Sequence, residues 1–65
     1  MRLILTRHAQ EQMDARGIDK EQIKTAIARG SKTPQTDGLV ARYTYIRIAY
    51  KVTGDEYIIK TVMID

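Results

Sequence analysis

The 65-residue sequence has no cysteine, no tryptophan and no phenylalanine, and it contains only one proline and one histidine. Without cysteine the chain can form neither a disulfide nor a thiolate metal site, and a single histidine cannot by itself supply the ligands of a zinc or iron site. The sequence therefore predicts a protein without a metal ion or cofactor. A reducing compartment fits this composition, and we expect the protein in the cytoplasm.

Long apolar runs are also missing from the sequence. No stretch approaches the roughly 18 residues that a membrane-spanning helix needs, and residues 1–5 lack the length and cleavage pattern of a secretory signal. We therefore expect no membrane partner. A chain of this length buries only about 60% of its unfolded surface, so residues 1–65 are predicted to form a single α+β domain with a thin core.

Positive charge is in moderate excess. Eleven Lys and Arg residues against eight Asp and Glu give a net charge of +3 and a sequence pI near 9.5. A basic pI is typical of proteins that bind nucleic acid, but many other small domains share it. RNA or another polyanion is thus an expected partner, and the positions of the charges matter more than their sum.

The first half of the chain predicts two helices, over about residues 6–16 and 19–29. Thr6 can cap the first helix. Asp19 can cap the second, with Gln22 completing a capping box, and a glycine follows each helix. Apolar side chains of these helices and of the later strands are expected to form one core: Met13, Ile18, Ile23, Ile27, Ile46, Ile48 and Val52.

The second half predicts an antiparallel β-meander, with residues 2–5 as a possible extra edge strand. Residues 31–38 are rich in Ser, Thr, Pro, Asp and Gly, which is typical of a surface loop. Residues 39–53 alternate between apolar and polar, which predicts β-structure. The run is longer than a usual strand, so it forms either one long bent strand or two strands that meet near Tyr43. Residues 56–64 form the last strand. The predicted fold is α+β, with two N-terminal helices packed on a small antiparallel sheet.

The alternation over residues 39–53 also predicts which side chains share a face. Arg42 has the parity of Ile46 and Ile48, so it is expected to point towards the helices, where a charge needs a partner. The opposite, outer face is expected to carry an aromatic and basic surface of the kind on which single-stranded nucleic acid stacks. Its members are Tyr43, Tyr45, Arg47 and Lys51. Outward tyrosines are also common on sheets, so an ordinary solvated face is the alternative.

His8 is the candidate for proton transfer. It falls in the first turn of the first helix, where backbone amides favour negative charge, and a histidine can accept or donate a proton near neutral pH. The alternative is a structural histidine that bonds a backbone carbonyl or caps the helix. Arg7 and Arg16 could donate to a phosphate, or lie in solvent.

The run His8-Ala9, Met13, Arg16-Gly17-Ile18, Asp19 and Ile23 resembles the opening of a family of small bacterial and phage domains, domain of unknown function 4258. That family resembles the barnase, EndoU, colicin D and RelE group of metal-independent ribonuclease folds. The resemblance implies a RelE- or barnase-like fold and RNA cleavage by attack of the 2′-hydroxyl on phosphate. It also matches Thr61 to a hydrophobic-Thr-Val segment of the family's last strand, where the hydroxyl would orient phosphate or His8. High β-propensity alone would also explain that threonine.

The candidate catalytic residues are therefore His8, Arg16, Arg42 and Thr61. The candidate nucleic-acid-binding residues are Arg7, Tyr43, Tyr45, Arg47 and Lys51. One hypothesis is a toxin-like endoribonuclease or an RNA-binding relative, with a protein partner such as an antitoxin, and the retained His8, Arg16 and Thr61 favour it. The other is a catalytically inert interaction protein, such as a phage-encoded inhibitor or regulatory partner, that binds its target through the basic tyrosine face. Gln12 favours this second hypothesis, because the family often has a basic residue there.

Overall fold

The computed structural model describes residues 1–65 and contains five strands and two helices. In chain order they are β1 (Arg2–Leu5), α1 (Arg7–Arg16), α2 (Lys20–Arg29), β2 (Ser31–Gln35), β3 (Gly38–Tyr43), β4 (Ile46–Thr53) and β5 (Glu56–Ile64). The sheet has the order β1-β5-β4-β3-β2. β1 runs parallel to β5, and the other neighbouring strands are antiparallel. The predicted α+β class is confirmed, but the sheet is larger than predicted and mixed rather than antiparallel throughout.

Local capping interactions determine where the helices begin. The Thr6 hydroxyl accepts a hydrogen bond from the Ala9 backbone N–H at 3.1 Å, and α1 ends at Gly17, which has a φ of 66°. At α2 the Asp19 carboxylate accepts from the Gln22 N–H at 2.8 Å, while the Gln22 side chain accepts from the Asp19 N–H at 2.9 Å. These are the caps that the sequence predicts. Neither helix is long and apolar enough to cross a membrane.

The prediction of a loop over residues 31–38 was wrong for its first five residues, which form β2. β2 pairs antiparallel with β3, from Ser31 opposite Arg42 to Gln35 opposite Gly38. All five of its residues are exposed, so the strand lacks the apolar alternation that marks a half-buried strand. Pro34 is compatible with β2 because an edge strand pairs on one side only.

Residues 39–53 form two strands joined by a two-residue turn at Thr44 and Tyr45. The turn makes Tyr43 the cross-strand partner of Ile46, and Arg42 the partner of Arg47. The parity of one continuous strand is therefore broken at the turn. The expectations that Arg42 points towards the helices and that Tyr43 lies on the outer face were both wrong, since Tyr43 packs against the core.

The core lies between the two helices and one face of the sheet, and its 12 buried apolar residues form one cluster. Its members are Ala9, Met13, Ile18, Ile23, Ala26, Ile27, Ala41, Ile46, Ile48, Tyr50, Ile59 and Val62. All but one of the predicted core residues belong to it. The exception is Val52, which is 41% exposed because it lies opposite Tyr57 close to the turn at Gly54 and Asp55, at the end of the hairpin.

A register shift interrupts the pairing of β4 with β5. Thr61 lies opposite Ala49, but Ile59 lies opposite the next residue, Tyr50, so Lys60 is the extra residue of a bulge. The bulge reverses the parity along β5. As a result Ile59 and Val62 both point into the core, while Thr61 points to the other side of the sheet, which no helix covers.

Candidate nucleic-acid interface

The helices cover one face of the sheet and leave the other uncovered, and we call the latter the open face. It contains a depression of about 600 Å³. The lining is formed by alternate residues of four adjacent strands: Ser31, Thr33, Gln35, Val40, Arg42, Arg47, Ala49, Thr61 and Met63. Small and polar side chains thus form most of the depression, and two arginines contribute its charge.

Arg42 and Arg47 lie directly opposite each other on β3 and β4. The carboxylate of Asp65 lies between them, with Oδ2 3.3 Å from Nε of Arg42 and Oδ1 3.3 Å from Nη2 of Arg47. Asp65 is anchored by its backbone N–H, which donates to the carbonyl of Tyr45 at 2.8 Å. Nε of Arg47 is buried and has no hydrogen-bond partner. The pair therefore has more donors than the one carboxylate satisfies.

A second cluster, again of two cationic side chains and one carboxylate, lies further along the open face. Asp37, in the turn between β2 and β3, places its carboxylate 3.5 Å from Nζ of Lys51 and 3.2 Å from Nζ of Lys60. The Lys60 ammonium also donates to the Asp37 carbonyl. The hydrogen bond from Lys60, together with the charges of both lysines, lowers the pKa of Asp37 below its ordinary value. Asp37 is therefore a carboxylate at neutral pH.

The two clusters make the open face cationic. Four cationic side chains face two carboxylates, which leaves a net charge of +2. Arginine presents a planar fork of N–H donors that fits a phosphate in a bidentate manner, and lysine contributes a mobile point charge. This arrangement can hold the phosphates of an extended polyanion.

The structure brings together Arg42, Arg47 and Thr61 of the predicted site residues, with Lys51 nearby on the same face. It does not bring the predicted tyrosines there. Tyr43 packs against the core, and Tyr45 lies in the β3–β4 turn with half of its surface exposed. The tyrosine-rich sheet face was therefore a wrong prediction, because the turn between β3 and β4 changes the parity that it assumed.

Tyr43 and Tyr45 instead border a smaller depression of about 250 Å³ on the helix side. Its other lining residues are Asp19, Glu21, Gln22, Thr25, Thr44 and Ile46. The two carboxylates at this position disfavour a phosphate ligand. We therefore place the candidate interface on the open face.

The remaining predicted site residues, Arg7, His8 and Arg16, lie exposed on α1 and form no ion pair or side-chain hydrogen bond. No hydrogen bond joins His8 to Arg42 or Thr61. It is four residues before Gln12, so the two share one side of the helix. Gln12 contacts β5 directly, since its side-chain oxygen accepts from the Val62 backbone N–H at 2.9 Å. His8 thus lies on the side of α1 that faces the β5 edge, whereas Arg16 is at the other end of α1.

Four residues of this arrangement were absent from the candidate site residues: Asp37, Asp65, Lys60 and Gln12. No sequence pattern marks the two aspartates, since one lies in a polar turn and the other follows the last strand. A two-residue turn at Thr44 and Tyr45 would have been the useful signal, because it places Arg42 beside Arg47. No group of three or more His, Cys, Asp or Glu residues is positioned to hold a metal ion.

These features define a small α+β protein with two helices on one face of a five-stranded mixed sheet and a cationic opposite face. The chain belongs to the family described as Domain of unknown function (DUF4258), whose model matches residues 5–64. The match spans both helices and all of β2 to β5. No curated protein and no solved structure matches the chain.

Proposed function

We propose that this protein is a toxin-like RNA-binding protein that holds a single-stranded phosphate backbone in the depression of its open face. The observation that carries the proposal is the direct opposition of Arg42 and Arg47. Like charges at opposed positions of two strands destabilise a sheet, and Asp65 supplies only one negative charge against two positive ones. Nε of Arg47, which has no acceptor in the protein, is a further donor that would support an anion at this position.

A single strand suits this face better than a duplex does. The depression of about 600 Å³ is bordered by the β2–β3 hairpin, whose turn residue Asp37 reaches β5 through Lys60. Extended strands of RNA bind such sheet faces through backbone contacts and through stacking on nearby aromatic rings. The turn that carries the half-exposed Tyr45 is joined to Asp65 by a backbone hydrogen bond, so it lies at the arginine end of the depression, although the tyrosine itself borders the helix side.

The test is binding of a labelled single-stranded RNA oligonucleotide as a function of salt concentration. The logarithm of the affinity should fall linearly with the logarithm of the salt concentration, and Arg42→Ala or Arg47→Ala should each flatten that slope by about 0.7, the value for one charge on a single strand. Arg29→Ala is the matched control, because it removes the same charge from the exposed end of α2. Absent or salt-independent binding, or an equal effect of all three substitutions, would contradict the proposal.

RNA cleavage is a second candidate function, and the position of His8 favours it. His8 shares one side of α1 with Gln12, which contacts the residue after Thr61, and Thr61 lines the depression. RNA bound there would pass the β5 edge near His8. The 2′-oxygen would bond to phosphorus as the bond to the 5′-oxygen breaks, which leaves a cyclic phosphate and a 5′-hydroxyl. His8 would accept the 2′-hydroxyl proton or donate one to the leaving 5′-oxygen.

His8→Ala and His8→Gln test this second function. Because general acid–base catalysis contributes about 10²–10⁴-fold, either substitution should reduce cleavage below detection while the melting temperature stays unchanged. Cleavage by the wild type should persist in EDTA and yield cyclic phosphate ends. If the wild type binds RNA but leaves it intact, the protein is a binding relative without catalysis. If the wild type neither binds nor cleaves RNA, the remaining hypothesis is an interaction protein that binds a protein target.

A further inference from the structure

We propose that the free protein fills two phosphate positions of its open face with its own carboxylates, Asp65 between Arg42 and Arg47, and Asp37 between Lys51 and Lys60. An RNA strand then binds by replacing both carboxylates. This inference rests on the proposed RNA binding, and it adds how the same site is regulated and how many phosphates it recognises.

The contacts of Asp65 with the two arginines are weak enough for another anion to replace its carboxylate. Both of its distances to the arginines are 3.3 Å, longer than the roughly 2.7–2.9 Å of a strong charge-assisted hydrogen bond. The Arg42 side chain is 57% exposed and that of Arg47 is 36% exposed, so an incoming anion can reach both. Asp65 is tied to Tyr45 by its backbone, so the side chain can leave the arginines while the chain stays in place.

Asp37 meets the lysines in the same manner. Its side chain is 70% exposed and belongs to a two-residue turn, so rotation of this side chain disturbs no core residue. Both contacts of its carboxylate exceed 3 Å, and the separate hydrogen bond from Lys60 to the Asp37 carbonyl does not involve the Asp37 side chain. A carboxylate between two cations presents two oxygens to them, as a phosphodiester does, which is why the ligand class is an anion with two free oxygens.

The spacing of the two positions indicates an oligonucleotide rather than an isolated phosphate. Arg47 and Lys51 are four residues apart on β4, and a strand rises about 3.3 Å per residue, so the positions lie about 13 Å apart. One phosphate ion can fill only one of them. A strand of several nucleotides can fill both at once.

Replacement of carboxylates has a measurable consequence for salt dependence. Each carboxylate offsets one of the two positive charges at its site, so the wild-type slope should be shallower than four unpaired cations would give. Removing one carboxylate charge should steepen the slope by about 0.7, the value for one charge on a single strand. Removing both should steepen it by about twice as much, because the sites are separate.

The experiment compares Asp65→Asn, Asp37→Asn and the double variant in binding a single-stranded RNA oligonucleotide. Asp14→Asn is the matched control, since it removes the same charge from the exposed surface of α1. At about 0.1 M salt, where charges more than about 10 Å apart are screened, each single variant should bind about twofold to fivefold tighter, because one repulsive charge at the site is removed. The control should bind like the wild type.

A second measurement follows the side-chain N–H signals of Arg42 and Arg47 by nuclear magnetic resonance during addition of inorganic phosphate. They should shift at lower phosphate concentration in Asp65→Asn than in the wild type, and in Asp37→Asn they should behave as in the wild type. Melting temperatures establish that each variant is folded. If Asp65→Asn does not fold, Asp65→Ser takes its place in both measurements.

The outcomes separate this inference from the proposed function. If Arg42→Ala weakens RNA binding but Asp65→Asn and Asp37→Asn match Asp14→Asn in affinity and slope, the carboxylates do not occupy phosphate positions and only the inference fails. If RNA does not bind, or binds without dependence on Arg42 and Arg47, both fail. Tighter, more salt-dependent binding in the two variants alone supports both.

Discussion

Gln12 and Val62 are joined by a hydrogen bond across 50 residues of sequence, from the backbone N–H of Val62 to the side-chain oxygen of Gln12, at 2.9 Å. β1 pairs with β5 only as far as Ile59, so the edge of β5 beyond that point has no strand beside it. The glutamine side chain occupies that place and satisfies a donor that a further residue of β1 would otherwise pair. Gln12 therefore connects α1 to the sheet.

Gln12→Ala should consequently lower the free energy of unfolding by about 1–3 kcal/mol, because it leaves the Val62 N–H without a partner in a partly buried position. Gln10→Ala is the control, since Gln10 bonds only the exposed Asp14 on the same helix and should cost less than about 0.5 kcal/mol. Urea denaturation measures both. Equal effects would show that the Val62 contact contributes nothing beyond helix propensity.

Ile48 is fully buried at the centre of the core. Ile48→Ala should lower the free energy of unfolding by about 2–5 kcal/mol, through the lost apolar contact and the cavity that remains. The half-exposed Val52 lies on the same strand, and Val52→Ala should cost much less. Thermal denaturation of the two variants checks this expectation, which an unchanged melting temperature for Ile48→Ala would contradict.

Gly38 begins β3 with a φ of 143°, and a Cβ added there would meet the carbonyl oxygen of Tyr50 on the neighbouring strand. Gly38→Ala should therefore strain the pairing of β3 with β4 and lower the melting temperature. At Gly54, which also has a positive φ, an added Cβ would lie in open space. Gly54→Ala should cost only the roughly 1 kcal/mol of the left-handed conformation, so a larger effect there than at Gly38 would refute the steric argument.

The ion pairs of Asp37 should contribute to stability at neutral pH but not in acid. Its pKa is lowered in the folded protein by the hydrogen bond from Lys60 and by the charge of Lys51. Protons therefore bind more readily to the unfolded chain, and the contribution is present above about pH 4 and lost as the pH falls through the lowered value. Melting temperatures of Asp37→Asn and the wild type should differ most near neutral pH and converge in acid. A difference in melting temperature that grows in acid would contradict this prediction.

Local interactions made the helices predictable, and non-local ones limited the prediction of the sheet. Thr6 and Asp19 carry their capping signals within three residues, so each helix start can be identified without knowledge of the rest of the chain. β2 has no such signal, because an exposed edge strand needs no apolar alternation. Its pairing depends on β3, which the local sequence of residues 31–35 does not encode.

The candidate site was only partly predictable for the same reason. The sequence identified Arg42, Arg47 and Thr61 as residues of interest, but their shared face depends on a turn at Thr44 and a bulge at Lys60. Each irregularity reverses the side-chain parity that follows it. The partners of the cations, Asp37 and Asp65, come from distant parts of the chain and become neighbours only in the folded sheet.

The position of β5 has a consequence for synthesis of the protein. This strand is the last in the chain, yet it lies between β1 and β4 in the sheet and contributes Ile59 and Val62 to the core. Chains are made from the N-terminus at about 5–20 residues per second. During translation β1 and β4 therefore cannot join one sheet until β5, which lies between them, has been made. A nascent chain lacking β5 has neither Thr61 nor Asp65, so the depression forms only after β5 has left the ribosome. A nascent chain therefore cannot bind RNA through the proposed surface before the last strand has emerged.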